Sequence, residues 1–375
     1  MENEGVGIVG LGRIGMPTLF YHLRLDVPVH VVTEIPNLGG RKSIDTLVEM
    51  MNSEDVSRGR LPWEVSKLGD DILGIRLNGS SYSVRLVTPK DPSDVNWKNL
   101  GISFVEECSG MCTTNNKEYL EKPQQYLAEV HFQNGAHTVV VSAPTKGEDG
   151  TFVYGINESD YDPSTHRFIS NASCTTKAVA FPLAVLYDNG LNTVGNIVIN
   201  TTHAATGPTL QKLKAPDYEV KKGKIEEASS GAYSSLSKIF NRSLIVKVGG
   251  CEAYAFRVPT LNGSVAVVSI EIDDEKVSAR DINEMFRKAA KNPKYHGGIE
   301  VYEGEEALDS QTHTKLYPMT GHIPSSVVSP SKTFEVGTKG RQFVSWYNNE
   351  DAPPLNQTLF TKYALEKIIA DRKVA

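Results

Sequence analysis

Residues 6–34 read VGIVGLGRIGMPTLFYHLRLDVPVHVVTE. A short apolar run (Val6, Ile8, Val9) leads into glycines at Gly10, Gly12 and Gly15, and a second run, Val29 to Val32, ends at Thr33-Glu34. Strand, glycine turn, helix, strand and a terminal acid make a βαβ unit of the dinucleotide-binding type. The glycines let backbone approach a pyrophosphate, the following helix offers its unpaired amides, and an acid about 20 residues further on bonds a ribose hydroxyl. Gly10, Gly12, Gly15 and Glu34 fill these positions. Three spaced glycines alone could make a plain tight turn, and it is the flanking strands and the acid that favour the cofactor reading. Glu34 would also repel a 2′-phosphate, which selects NAD over NADP.

Working outward, apolar runs at Ile102 to Val105 and Val139 to Val141 end at Ser109-Gly110 and Ser142-Ala143-Pro144. Small residues at the carboxyl ends of parallel strands mark the crevice where an open α/β sheet takes its ligand, although simple turn chemistry explains either site taken singly. Between Thr113 and Gln133 a polar stretch with Leu120, Leu127 and Val130 at helical spacing predicts a solvated surface helix, interrupted at Pro123. From Ile197 the texture changes. Ile197 to Ile199, Ala266 to Ile272 and Phe343 to Tyr347 read as strands whose alternation favours a mixed or antiparallel sheet with one face covered. A closing segment, Leu359 to Val374, has helical spacing. The expected fold is α/β, with a dinucleotide-binding domain followed by an α+β domain.

Composition agrees and excludes several classes. A chain of 375 residues, 22% charged, 39% hydrophobic and with a net charge of −6, is too long for one ordinary core. With 39 Lys+Arg against 45 Asp+Glu there is no basic excess for a phosphate backbone, so no nucleic-acid partner is expected. No stretch approaches the roughly 18 to 20 apolar residues that span a bilayer, and the acidic start lacks a basic signal region. No membrane is expected, and the cytoplasm is the predicted compartment. Four cysteines (Cys108, Cys112, Cys174, Cys251) are too few for a disulfide framework and form no C-x-x-C pair, so no metal site is expected.

Cys174 stands apart. It follows Ser170-Asn171-Ala172-Ser173 and precedes Thr175-Thr176-Lys177 and an apolar run to Leu186, so cap residues place it at a helix N-terminus. Unpaired amides and the positive end of the helix dipole favour thiolate there. Pro182 inside the run predicts a kink or an irregular start. A buried, inert cysteine is the ordinary alternative. Further on, a β-rich approach from Asn196 delivers His203, which could serve a thiol on a neighbouring helix start as general acid/base, or could be a satisfied structural histidine. Cys108, Cys112 and Cys251 lack such surroundings and read as structural. A dinucleotide fold, a capping cysteine and a strand-end histidine together suggest aldehyde oxidation through a thioester.

The chain resembles the glyceraldehyde-3-phosphate dehydrogenase family. The motifs that carry the resemblance, in family order, are GLGRIG, Asp91-Pro92, VVVSAP at 139–144, SNASCTT at 170–176, THAAT at 202–206, AFRVPT at 255–260 and SWYNNE at 345–350. SNASCTT is highly specific, whereas the glycine motif is shared with many enzymes. The resemblance implies a Rossmann domain from residues 1–173 and 349–375, a catalytic domain from 174–348, and a homotetramer. It implies Cys174 as nucleophile and His203 as its general acid/base. Arg13, Ile14, Glu34, Lys90, Ser109, Gly110 and Ser142 match cofactor-contacting positions, and Asn349 resembles the asparagine that holds the nicotinamide carboxamide. Thr206 and Arg257 resemble part of the substrate-phosphate site, while Ser173, Thr175 and Ser230-Gly231 resemble positions for inorganic phosphate. The expected reaction is NAD-dependent, phosphorylating oxidation of glyceraldehyde 3-phosphate or a similar phosphorylated aldehyde, with inorganic phosphate as co-substrate.

There are departures from the family pattern. Its SCTTN is SCTTK here, so Lys177 sits one turn below the nucleophile, either favouring thiolate or forming a salt bridge at the domain surface. Met16 replaces an arginine, and residues 207–228 lack the family's arginine-bearing, alanine-rich stretch. These differences motivate two alternatives. One is a specialised paralogue for another aldehyde, such as erythrose 4-phosphate or a biosynthetic acyl substrate. The other is a non-catalytic NAD-binding regulatory protein.

Overall fold

The computed structural model describes residues 5–34, 43–53, 60–115, 117, 126–191, 196–204, 225–229, 232–240, 250–318 and 321–374. The opening βαβ unit forms β1 (Gly5–Val9), α1 (Gly15–Arg24) and β2 (Val29–Thr33). There follow α2 (Ile44–Asn52), β3 (Glu64–Lys67), β4 (Ile72–Leu77), β5 (Ser80–Val87), β6 (Ile102–Glu107), α3 (Glu129–Gln133), β7 (Thr138–Val141), β8 (Gly150–Thr151) and β9 (Phe168–Ser170). Among the described residues these strands make a nine-stranded sheet in the order β3-β4-β5-β2-β1-β6-β7-β9-β8. It is parallel from β5 to β8, with β3 and β4 added antiparallel at one edge. The order reverses between β1 and β6, and an open α/β sheet has its ligand crevice at that switch point.

Strand periodicity builds a core on each face of this sheet. Val6 and Ile8 face Leu19, Phe20 and Phe360, whereas Val9 joins Val105, Val139 and Trp97 on the other side. Beside the latter group lies a correction. Within the polar stretch, the segment Tyr126 to Gln133 is not a solvated element, because Ala128 and His131 are fully buried. Leu120 and Pro123 lie outside the described residues.

After α4 (Cys174–Asp188) the chain builds β10 (Asn196–Ala204), β11 (Glu226–Ser229), α5 (Ala232–Ile239), β12 (Gly250–Val258), β13 (Ser264–Glu271), α6 (Ala279–Ala290), β14 (Ile299–Val301), α7 (Ser310–Leu316), β15 (Ser326–Val328), β16 (Phe334–Val336), β17 (Gly340–Tyr347) and α8 (Ala352–Val374). Its sheet runs β11-β12-β10-β13-β17-β15-β14, with β16 on β17, and mixes parallel and antiparallel pairs. Alternation holds along β13 and β17, where Ala266, Val268, Ile270, Phe343 and Tyr347 point into the core beneath α4. Helix α4 is apolar nearly all round and accordingly buried. It continues through Pro182, which has no N–H to give, and the Ala178 carbonyl left open by it accepts from Ser345 Oγ at 2.8 Å.

The closing helix begins at Ala352 rather than Leu359 and returns to the first sheet. It is fastened by polar contacts. Glu106 at the end of β6 accepts from Gln357 Nε2 (2.8 Å) and Thr361 Oγ1 and faces His22 Nε2 at 3.0 Å, while Thr358 Oγ1 lies 2.9 Å from His22 Nδ1.

Candidate active site

Cys174 begins α4, and the turn before it is unusual. Ala172 adopts φ 56°, a left-handed conformation that costs a β-carbon residue energy. Ser173 then caps the helix, its Oγ accepting from Thr176 N at 3.0 Å. The half-buried thiol meets a histidine carried by the second sheet. His203 Nδ1 lies 2.7 Å from the Ala204 carbonyl, which can only accept, so Nδ1 carries a proton and Nε2 faces Cys174 Sγ at 3.5 Å. A third segment closes the group. Asn349 Nδ2 lies 3.1 Å from His203 Nε2 and 3.7 Å from Sγ.

That amide is held from behind by residues no motif points to. Ser264 Oγ donates to Asn349 Oδ1 (2.8 Å) and accepts from Ala204 N (2.9 Å), and Asn262 Oδ1 accepts from Asn349 N at 3.1 Å. Burial alone would push the Cys174 thiol up. The hydrogen bond and charge of His203 oppose this, Asn349 and Lys177 add to them, and the net result brings the thiol down to about 7. For His203, burial disfavours the imidazolium and the adjacent thiolate favours it, with a net upward shift. Thr175 Oγ1 lies 2.7 Å from Tyr347 Oη, and burial holds that phenol well above its usual range. Two titrating groups thus face each other across a short gap, as nucleophilic catalysis requires.

Toward β1 the glycine turn closes against Ser109. Gly10 has φ 84°, and a Cβ there would come within 2.8 Å of the Ser109 Cα, while one on Gly15 would run into the Gly10 carbonyl. Backbone alone therefore fits at the start of α1, whose N-terminal turn carries no side-chain cap. Glu34 at the end of β2 accepts from Leu11 N at 2.6 Å. Gly12 and Ile14 lie on the same turn, and Arg13 pairs with Glu350 of the SWYNNE segment. Across the switch point, Ser109 and Gly110 (φ 75°) are pinned by Glu107, whose Oε1 accepts from Ser109 N (2.7 Å), Ser109 Oγ and Gly110 N (3.1 Å). Ser142 Oγ donates to the Glu107 carbonyl at 3.2 Å. Lys90 is exposed beyond β5, where its amide donates to Asp94. A left-handed glycine turn, uncapped helix amides and a terminal acid are a cradle of the right chemistry for a dinucleotide.

Glu107, Cys112 and His131 place possible ligand atoms within 4.8 Å of one another. A metal does not suit them. Trp97 Nε1–H donates to His131 Nδ1 (3.2 Å), so the proton sits on Nε2, the nitrogen that faces Glu107 Oε2 at 3.2 Å. The group reads as a relay that orients Glu107 beneath the Ser109-Gly110 turn. Burial raises the thiols of Cys108, Cys112 and Cys251, the last to about 11, which is unreactive chemistry.

Arg257 is exposed on β12 and stands in register beside His203 on β10. Thr206, Ser230 and Gly231 lie outside the described residues, as do 207–224. Lys177 corrects an expectation. It is 1% exposed rather than at the surface and forms no salt bridge among the described residues, its Nζ donating to the Asn171 carbonyl.

The family model described as glyceraldehyde 3-phosphate dehydrogenase, NAD binding domain, matches residues 5–115, and that described as the C-terminal domain of the same enzyme matches residues 173–349. Relatives include the glyceraldehyde-3-phosphate dehydrogenase of Streptomyces coelicolor, 30% identical over 92% of this chain and 94% of its own. The Geobacillus stearothermophilus enzyme is 30% identical over 92% and 93%, and a chloroplastic B form from Pisum sativum is 31% identical over 92% and 70%. Fold, site and comparisons define an NAD-binding oxidoreductase. The chain belongs to the glyceraldehyde-3-phosphate dehydrogenase family.

Proposed function

We propose that the protein oxidises a phosphorylated aldehyde, glyceraldehyde 3-phosphate or one of similar size, with inorganic phosphate as the acyl acceptor. The observation that carries this reading is the 3.5 Å approach of Cys174 Sγ to His203 Nε2 at a helix N-terminus. Bound NAD would supply a hydride acceptor, held by Gly10, Gly12, Arg13, Ile14, Glu34, Lys90, Ser109, Gly110 and Ser142. Cys174 attacks the aldehyde carbon as thiolate, and His203 Nε2, protonated as the thiol ionises, gives a proton to the nascent alkoxide and takes it back as the C–H bond breaks, the hydride leaves and the carbonyl of the thioester re-forms. Asn349 orients the reacting groups from the opposite side. Phosphate then attacks the acyl carbon, the C–S bond breaks and Cys174 leaves as thiolate.

Arg257, in register beside His203, is suited to a phosphate group. Ser173, Thr175, Thr206, Ser230 and Gly231 complete the proposed anion sites. We divide the chain into an NAD-binding domain (1–173 and 349–375) and a catalytic domain (174–348), and assign it a homotetramer in the cytoplasm. Exposed Tyr254 and Phe256 on β12 support a contact with a second copy. Mixing enzyme, NAD and glyceraldehyde 3-phosphate tests the reading. A burst of NADH without phosphate and steady turnover with it are expected, and no burst with any phosphorylated aldehyde would sink it. A paralogue specialised for another short aldehyde is the second reading, favoured by Lys177 where the family carries asparagine. The close thiol–imidazole pair speaks for turnover rather than for a purely regulatory NAD-binding protein.

A further inference from the structure

Lys177 is the one departure from the family motif that the reaction as written leaves unused. It lies three residues after Cys174 on α4, and side chains three and four apart share a helix face. Its ammonium is buried, with a backbone carbonyl, that of Asn171, as its acceptor. No carboxylate among the described residues pairs with it. A buried ammonium without a counter-charge is costly, and a neighbouring opposite charge offsets that cost. Among the described residues, the ionisable group that acts on it is Cys174. Around the pair, β10 brings His203, β17 brings Tyr347, and Arg257 on β12 acts on His203. Asn171 is also the residue that enters the strained Ala172 turn, so the same hydrogen bond ties down the turn that presents the thiol.

We propose that Lys177 is a second counter-ion of the Cys174 thiolate beside His203: a positioning residue whose buried ammonium, anchored on the Asn171 carbonyl, adds to the imidazole in keeping the nucleophile ionised. The consequence is chemical: with a second cation beside it, the thiolate persists to a lower pH than the imidazole alone would allow. Burial pulls the Lys177 amine down to about 7 and the neighbouring thiolate opposes that, as expected if the two charges depend on each other.

This inference rests on Cys174 being the nucleophile, and its test separates the two. Iodoacetamide reacts with thiolate, forming an S–C bond as iodide leaves, so the pH profile of its rate at Cys174 reports ionisation. In Lys177→Met and Lys177→Gln the midpoint should rise by about one unit or more, with labelling near pH 6 slowed about tenfold and rates converging in alkali. NAD affinity should be unchanged, and a purely structural lysine would not move the midpoint. Either folded neutral variant with the wild-type profile overturns the counter-ion role. Wild-type Cys174 that labels no faster than Cys108, Cys112 and Cys251 overturns the nucleophile reading itself.

Discussion

Replacing His203 by asparagine should strip Cys174 of its largest source of activation. The thiol lies at about 7 against an ordinary value of 9.0, although burial pushes it upward, and His203 leads the groups that reverse this. Without the imidazole the thiol should return to 9 or above. At pH 7 the thiolate fraction then falls from about one half to about one part in a hundred, a loss of about fifty-fold in the rate of carbamidomethylation. The sign follows from the direction of the shift. A lowered thiol is ionised at neutral pH and loses thiolate as pH falls through 7, so wild-type reactivity should have a midpoint there, whereas the variant should gain reactivity only toward pH 9. Rates measured by stopped quench from pH 5 to 10, with peptide mapping to confirm labelling at Cys174, check this. NAD titration shows that the fold is intact. A variant labelled at pH 7 within twofold of wild type would refute the assignment of His203 as the activating group.

Glu107→Gln should weaken NAD binding by about tenfold or more in calorimetric titration, since charge-assisted bonds from the Ser109 and Gly110 amides are worth about 1.5–3 kcal/mol each; unchanged affinity would separate that turn from the cofactor. His313 lies fully buried beside Trp346, with burial pulling its imidazole down to about 4. In the unfolded chain it protonates below 6.5 while the native ring stays neutral, so the unfolded state takes up more protons and stability falls as pH drops from 6.5 to 4. The difference amounts to about 3 kcal/mol, and His313→Phe should flatten the slope of denaturation free energy against pH across that window.

Much of the fold was legible because local signals agreed with one another. The glycine turn between two apolar runs defines β1-α1-β2, and the cap residues at Asn171 and Ser173 place Cys174 at a helix start. The residues that hold the site were harder to see, because their partners are distant in sequence. Ser264 reaches Asn349 across 85 residues and His131 reaches Glu107 across 24, and no spacing rule links either pair. The polar stretch misled because its amphipathic pattern does not show that His131 is needed inside as a relay. Lys177 misled for a similar reason. A lysine is expected at the surface, and only the packing of α4 on all sides reveals that it is buried.

The central claim is that acyl transfer runs through Cys174. Mass spectrometry of the Cys174 peptide, after the enzyme is mixed with glyceraldehyde 3-phosphate and NAD in phosphate-free buffer and quenched in acid, tests it directly. The account predicts an acyl adduct on Cys174 that vanishes when phosphate is added before the quench. NADH formed at full rate with no adduct there, or with an adduct on another residue, would contradict it.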